Sequence, residues 1–499
     1  MGIVKKQAYK NTLISYLGMG IGYINTVLLI PAFLTTQQFG FYILLGSLAI
    51  MYSLIASLGV PGIIAKYFPV YRTDDGKHNG FMHWTALLAV VGFVLCTVLF
   101  IALRPVILSA FIENGSLLTR YYYYLIPLAF FLIMFNYLEM TGRVLYKNIF
   151  SNFLFEVVQR LLTTLLLVLL GLKWIGYQEF IVYYIAINGF ISFALLIHLA
   201  LLKQFTYKIN DLKFSGIKKR EVANYGLYAV TSSAVYVLLQ KIDGIMLSSM
   251  AGDATQGVYS WYFAIAAVIS VPGKALSRTT YAIVANAWKA KDMANIDEVY
   301  TKTSMIQMVA GLLLFVGIII NRDNLYALAR NPDYTDPKYF SLFIVIGLGF
   351  MVDITGGLNT YIISVSHKYR LLTYFVIINS TFCVIMNYIL IPKMGGLGAA
   401  IAYSVTIFIF NFGNWFYIKY RFKMQPFSYK NLLVILVAVI SYFIGAYIWR
   451  LPNVFADIIV RSSITALVYV SLTYYLKISE DVNEKIDSIL KKIRPQRLG

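Results

Sequence analysis

The chain has 499 residues, 59% hydrophobic and 13% charged, with a formal net charge of +20 and a mean hydropathy of +0.71. A water-soluble globule could not hide this much apolar surface, so composition excludes a soluble enzyme and makes lipid the solvent. The positive charge is scattered over many short loops, which excludes a nucleic-acid surface and makes it a topology signal.

Apolar windows of roughly 20 residues recur from end to end, each long enough for a ~30 Å hydrocarbon core. Segments of this length satisfy their own backbone as helices, whereas barrel strands would be shorter and would alternate. About 14 spans are predicted, near 11–34, 41–65, 81–103, 121–145, 152–172, 180–202, 225–250, 257–277, 304–320, 339–366, 371–391, 396–416, 431–449 and 456–476. The first follows Lys5, Lys6 and Lys10. It is too long for a signal-peptide core and shows no small-residue cleavage site, so it reads as an uncleaved anchor. With the N-terminus cytoplasmic, roughly 30 of the 42 Lys and Arg fall on the cytoplasmic side, as the positive-inside rule requires. An even span count then makes the C-terminus cytoplasmic as well.

Polar residues inside the spans carry the functional information, because burying them in lipid is costly. The fourth span holds Glu139 and Arg143, and the fifth holds Glu156 and Arg160. Acid before base at i, i+4 is the favourable helical pairing, so each is a candidate ion pair. In the seventh span Ser232, Ser233, Tyr236, Gln240 and Asp243 fall along one side. Lys241 is off that stripe, ~200° of rotation from Asp243, so the two cannot pair well. Lys241 can snorkel outward or face a wet cavity. Lys274 beside Pro272 and Gly273 in the eighth span, and Arg461 early in the fourteenth, have the same two options. Asp353 lies mid-span in the tenth, near Gly347, Gly349, Gly356 and Gly357. Intramembrane bases outnumber lone acids, which favours a cavity for an anionic group. The candidate substrate-binding residues are therefore Arg143, Arg160, Lys241, Lys274 and Arg461. Glu139, Glu156, Gln240, Asp243 and Asp353 are structural or coupling candidates.

The chain divides into a six-span lobe (1–202), a basic cytoplasmic linker (203–224), a second six-span lobe (225–423), two further spans (424–476) and an amphipathic cytoplasmic tail (477–499). A repeat supports the two lobes. "QQFGFYILL" and "TQGVYSWYF" place a Gly-x-Tyr just inside the second and eighth spans. Gly40 and Gly257 are 217 positions apart (257 − 40), and Tyr42 and Tyr259 share that offset. Under it Lys241 falls opposite Ile24 and Asp243 opposite Thr26, so the first lobe lacks both charges. Repeat-built transporters bind substrate between repeats, near midplane. The chain shows no phosphate-cradling loop, no His-Glu-x-x-His and no Ser/His/Asp set. We therefore expect a transporter rather than an enzyme, with no catalytic residues, no cofactor and no metal.

Three stretches of the second half carry a family resemblance: "KIDGIMLSSMAGDATQGVYSWYFAIAAVISVPGKAL" from Lys241, "DITGGLNTYIISVSHKYR" from Asp353 and "NYILIPKMGGLGAAIAYS" from Asn387. "FGFYILLGSLAIMYSLIASLGVPGIIAKYF" from Phe39 adds to it in the first half. They resemble the polysaccharide (O-antigen, Wzx-type) flippases of the multidrug/oligosaccharidyl-lipid/polysaccharide exporter superfamily. The resemblance implies an all-α, multi-pass protein of the bacterial cytoplasmic (inner) membrane, with two pseudo-symmetric six-helix bundles and two C-terminal helices in a MATE-like fold. It implies alternating-access movement of undecaprenyl-diphosphate-linked oligosaccharide for surface polysaccharide or lipopolysaccharide synthesis. Membrane lipids and polysaccharide polymerase or assembly proteins would be the partners. Many such flippases keep a charge in the first span, and Asn11 to Leu34 has none, which leaves open which helix meets the diphosphate. The rival readings are a cation-coupled multidrug exporter of the same fold, a peptidoglycan-precursor flippase and a membrane-embedded polysaccharide polymerase.

Overall fold

The structure is a computed structural model that describes residues 2–73, 76, 78–112, 116–202, 218–368 and 370–493. Residues 203–217, most of the expected basic linker, lie outside the described residues. The described chain is helical, with no strand. In order, the first eight helices are α1 (Gly2–Tyr23, continued by a π-helical turn Ile24–Leu29 and by Ile30–Phe33), α2 (Thr36–Ala56), α3 (Val60–Tyr71), α4 (Phe81–Ala102), α5 (Arg104–Ile112), α6 (Leu125–Val144), α7 (Ile149–Phe153, a π-helical turn Leu154–Val158, then Gln159–Gly171) and α8 (Tyr177–Leu201). Then come α9 (Lys219–Ala267), α10 (Val271–Ala290), α11 (Met293–Ile320), α12 (Arg322–Ala329), α13 (Phe340–Thr355) and α14 (Asn359–Val365). The last five are α15 (Arg370–Met394), α16 (Gly396–Phe422), α17 (Tyr429–Tyr447), α18 (Val454–Tyr475) and α19 (Glu480–Ile493).

Among the described residues, 13 helical stretches are long and apolar enough to cross a membrane. The difference from the expected count lies in α9, where two predicted spans run into one helical element. At 49 residues a straight α9 would measure about 74 Å, more than twice the hydrocarbon thickness. It is not straight. Gly252 leaves helical geometry at φ 86°, ψ 161°. The amide of Gln256 packs on Gly244, which a straight helix would hold about 18 Å away. The chain therefore turns back at Gly252, and both predicted limbs are present. Apolar side chains lie exposed along the helices, among them Leu87, Val94, Val98, Phe408, Phe412 and Phe416. Only lipid stabilises such faces, and the protein is a multi-pass membrane protein.

The fold comprises two compact units, Met1–Ser260 and Trp261–Gly499. In the first, α6 packs against α2, α3 and α8, and α1 lies along α7. A capping box starts α2: Gln38 N donates to Thr35 Oγ1 at 3.2 Å, and Thr35 N donates to Gln38 Oε1 at 3.1 Å. The two glycines matched by the repeat meet here. A Cβ on Gly40 would overlap the Asp253 carbonyl, and one on Gly257 would overlap the Thr36 carbonyl. Glycine is required at both because backbone touches backbone. Asp253, buried at the turn, accepts from Ser116 Oγ (2.9 Å), Leu117 N (2.8 Å) and Ser248 Oγ. It ties the loop before α6 to this crossing.

In the second unit α16 packs against both α13 and α15, and α17 and α18 pack on α11. Arg461 of α18 does not snorkel to the surface. It is 4% exposed, and its Nε donates to Asp457 Oδ2 at 3.1 Å. Its Nη1 and Nη2 donate to the Gly445 and Ile448 carbonyls at 2.8 and 3.1 Å. Asp457 also accepts from Asn324 Nδ2 (2.6 Å) and Leu451 N (2.8 Å). The network fastens α18 to the end of α17 and to α12. Removing one member of a buried pair strands the other, so Asp457→Ala is expected to cost about 3–5 kcal/mol. The check is the yield of monodisperse protein on gel filtration in detergent. The tail helix α19 packs back on α11 and α18, with Tyr474 OH donating to Asp487 Oδ1 at 2.6 Å.

Candidate functional site

The first unit encloses a cavity of about 580 Å³, lined by α1, α2, α6, α7 and α8. Its construction starts with two glycines. Gly18 and Gly22 lie four apart on α1, one above the other on the same face. A Cβ on Gly18 would overlap the Glu156 carbonyl, and one on Gly22 would come within 2.8 Å of Arg160 Nη1. The glycine notch thus lets α1 close on the part of α7 that carries Glu156 and Arg160. Both helices have a π-helical turn at this crossing, Ile24–Leu29 on α1 and Leu154–Val158 on α7. Such turns release backbone groups from the regular ladder and recur at functional sites. Asn25 occupies the opening: its Nδ2 donates to the Arg160 carbonyl at 3.0 Å, and its Oδ1 accepts from Thr164 Oγ1 at 2.7 Å.

Arg160 lines the cavity. Its Nη2 lies 2.7 Å from Glu156 Oε2, with the two side chains 30% and 22% exposed. The rest of the wall is uncharged: Asn25, Thr26, Asn136, Gln159, Thr163 and Asn188, with Tyr42 and Tyr184, offer hydrogen bonds, and Ile30, Phe39, Ile43, Ile50, Leu128, Leu132 and Phe155 supply apolar surface between them. Gln159 Nε2 donates to Asn188 Oδ1 at 2.9 Å, and Tyr42 meets Tyr184 edge-on with ring centroids 4.9 Å apart. A wall of amides, hydroxyls and aromatic rings around one guanidinium can hydrogen-bond a polyol and hold one anionic group.

The sequence-predicted residues do not all converge on this cavity. The Glu139–Arg143 pair forms as its spacing predicts, with Arg143 57% exposed, and it is not part of the cavity wall. On α9, Gln240 is exposed and Lys241 and Asp243 are half-buried. Lys241 has no hydrogen bond or ion pair among the described residues. The side chains of Ser232 and Tyr236 lie outside the described residues. In the second unit Lys274 is exposed on α10, within electrostatic reach of Asp353 on α13. Asp353 Oδ1 accepts from Asn411 Nδ2 at 3.2 Å, and the Asn411 carbonyl accepts from Asn359 Nδ2 at 3.3 Å. Arg461 belongs to the network described above. Among the described residues no three His, Cys, Asp or Glu side chains gather as a metal site.

Reading the charges alone missed most of the cavity wall. The signal for it was available: Asn25, Asn136, Gln159 and Asn188 are amides inside apolar spans, where each needs a partner.

Comparison with known proteins places the chain. Residues 4–273 match the family model described as polysaccharide biosynthesis protein. A 291-residue stretch is 26% identical to an uncharacterized membrane protein of Methanocaldococcus jannaschii, covering 55% of this chain. That match spans about half the length of the curated relative, 54%. A lipid II flippase MurJ in an inward closed conformation is structurally similar, with a TM-score of 0.69 over 93% of this chain and 98% of that one, at 13% identity. An inward-facing multidrug resistance MATE family transporter of the MOP superfamily matches with a TM-score of 0.60 over 82% of this chain and 94% of that one, at 15% identity. At such identities the likeness establishes a shared fold.

Proposed function

The chain belongs to the polysaccharide biosynthesis protein family, and from that premise we propose that it is an alternating-access flippase for undecaprenyl-diphosphate-linked oligosaccharide. The observation that carries this reading is the cavity of the first unit, where one guanidinium sits among amides, hydroxyls and tyrosines. Sugar hydroxyls suit the amides, and Arg160 suits a phosphate oxygen. Lys241, which has no ion-pair partner among the described residues, is the second base assigned to the diphosphate, and the prenyl tail stays in lipid. A cationic drug would want a free carboxylate, but Glu156 beside this cavity already faces Arg160. The distribution of Lys and Arg supports placing both termini on the cytoplasmic side, and the resemblance to flippases supports a bacterial cytoplasmic membrane. Polymerase or assembly proteins are the proposed partners, and no chemistry on the substrate is assigned to this chain.

The test is reconstitution. Protein in liposomes should carry a labelled undecaprenyl-diphosphate oligosaccharide to the opposite leaflet, read by a membrane-impermeant quencher. Transport no faster than in empty liposomes, or expulsion of cationic dyes instead, overturns the assignment. Preference for the peptidoglycan precursor, together with a requirement for growth, would shift it to that substrate. In cells, Arg143, Arg160, Lys241, Lys274 and Arg461 are each replaced by alanine, and polysaccharide display is measured per amount of protein. Full display by all five removes the role given to the basic residues.

A further inference from the structure

We propose that Glu156 is a resident counter-anion for Arg160, which competes with the substrate's phosphate and thereby drives its release. The inference rests on the flippase reading above and adds a residue whose role is opposite to binding.

Arg160 lines the cavity, and Glu156 is not part of the lining. The carboxylate stands to one side, one helical turn earlier on α7, with its Oε2 2.7 Å from Arg160 Nη2. Oε2 is buried, and among the described residues no N–H is aligned on it for a hydrogen bond. The pair is held by charge and proximity rather than by a bidentate lock, which makes it exchangeable. Nη1 lies against the Gly22 notch of α1, so the guanidinium keeps its place when Glu156 lets go.

The need for a counter-anion follows from the transport cycle. A flippase must return empty, and a lone arginine in a membrane interior is costly. With Glu156 opposite, the empty cavity carries a matched pair. When a diphosphate arrives, it bonds the same guanidinium and is repelled by the carboxylate behind it. Binding is therefore weaker than Arg160 alone would allow, and release on the far side is faster. Glu156 acts through Arg160 and is a positioning residue, so its signature is a split between affinity and turnover.

The experiment measures undecaprenyl diphosphate binding in micelles by the purified full chain, and translocation in liposomes. E156Q is expected to tighten the Kd by roughly two- to fivefold, the range of one partly exposed ion pair, and to slow turnover by a similar factor. E156D holds the guanidinium less well, so it shifts both numbers the same way by a smaller factor, and it serves as the test should E156Q not be recovered folded. The double variant E156Q/R160Q should bind as weakly as R160Q, because Glu156 acts only through Arg160. Unchanged or weaker binding by E156Q, or a gain that survives in the double variant, overturns the counter-anion role. Failure of the wild type to bind the diphosphate at all sinks the broader reading, and R160Q binding as well as wild type sinks the assignment of Arg160.

Discussion

Arg160→Gln is expected to lower the proposed translocation of lipid-linked oligosaccharide by about 10- to 100-fold, the loss of one charge-assisted hydrogen bond to the proposed phosphate. The fold should survive. The backbone carbonyl of Arg160 stays bonded to Asn25, the Gly18–Gly22 notch still accepts α7, and glutamine keeps a polar group toward the cavity. Among the residues lining that cavity Arg160 is the single base, so no neighbour on the wall replaces its charge. Asp457→Ala provides the contrast, because it should lose protein rather than activity per molecule. The measurement is initial rate per reconstituted protein, alongside the thermal midpoint in detergent. A rate within twofold of wild type at an unchanged midpoint would remove Arg160 from the site.

Gly40→Val and Gly257→Val are each expected to lower the thermal midpoint by about 2–6 °C, from an overpacking cost of about 1–3 kcal/mol. The obstacle at each position is a carbonyl of the facing helix, of Asp253 or of Thr36. Backbone cannot swing aside as a flexible side-chain end can, so the helices must separate. Gly317→Ala is the control: beyond its own stretch of helix, no described atom lies within 4 Å of the Cβ it would add, and it should leave the midpoint unchanged or raise it slightly. Gly40 and Gly257, which the expected repeat aligned with each other, lie against one another at this crossing. The double variant should lose less than the sum of the singles, since one separation relieves both overlaps. Strict additivity would mean the two sites are not one contact.

Much of this was legible in the chain itself. Length and hydropathy set the all-helical, multi-pass class, because lipid leaves a spanning segment no other way to satisfy its backbone. The i, i+4 spacing of Glu139 with Arg143 and of Glu156 with Arg160 predicted ion pairs that both form, since helix geometry alone brings those positions together. The ~200° between Lys241 and Asp243 likewise predicted that they would not pair. Tertiary structure decided which polar residues share a cavity. A span that is apolar toward both lipid and protein carries no periodic signal of its rotation, so sequence could not aim Arg160 inward or join it to Asn25, Gln159 and Asn188. It could not see that Arg461, beside an equally apolar run, is closed off by Asp457 and two carbonyls of the neighbouring helix. Nor could it see that Gly40 and Gly257 touch. Whether a charge binds substrate or fastens helices depends on what the facing helix presents, and that is settled only when the helices pack.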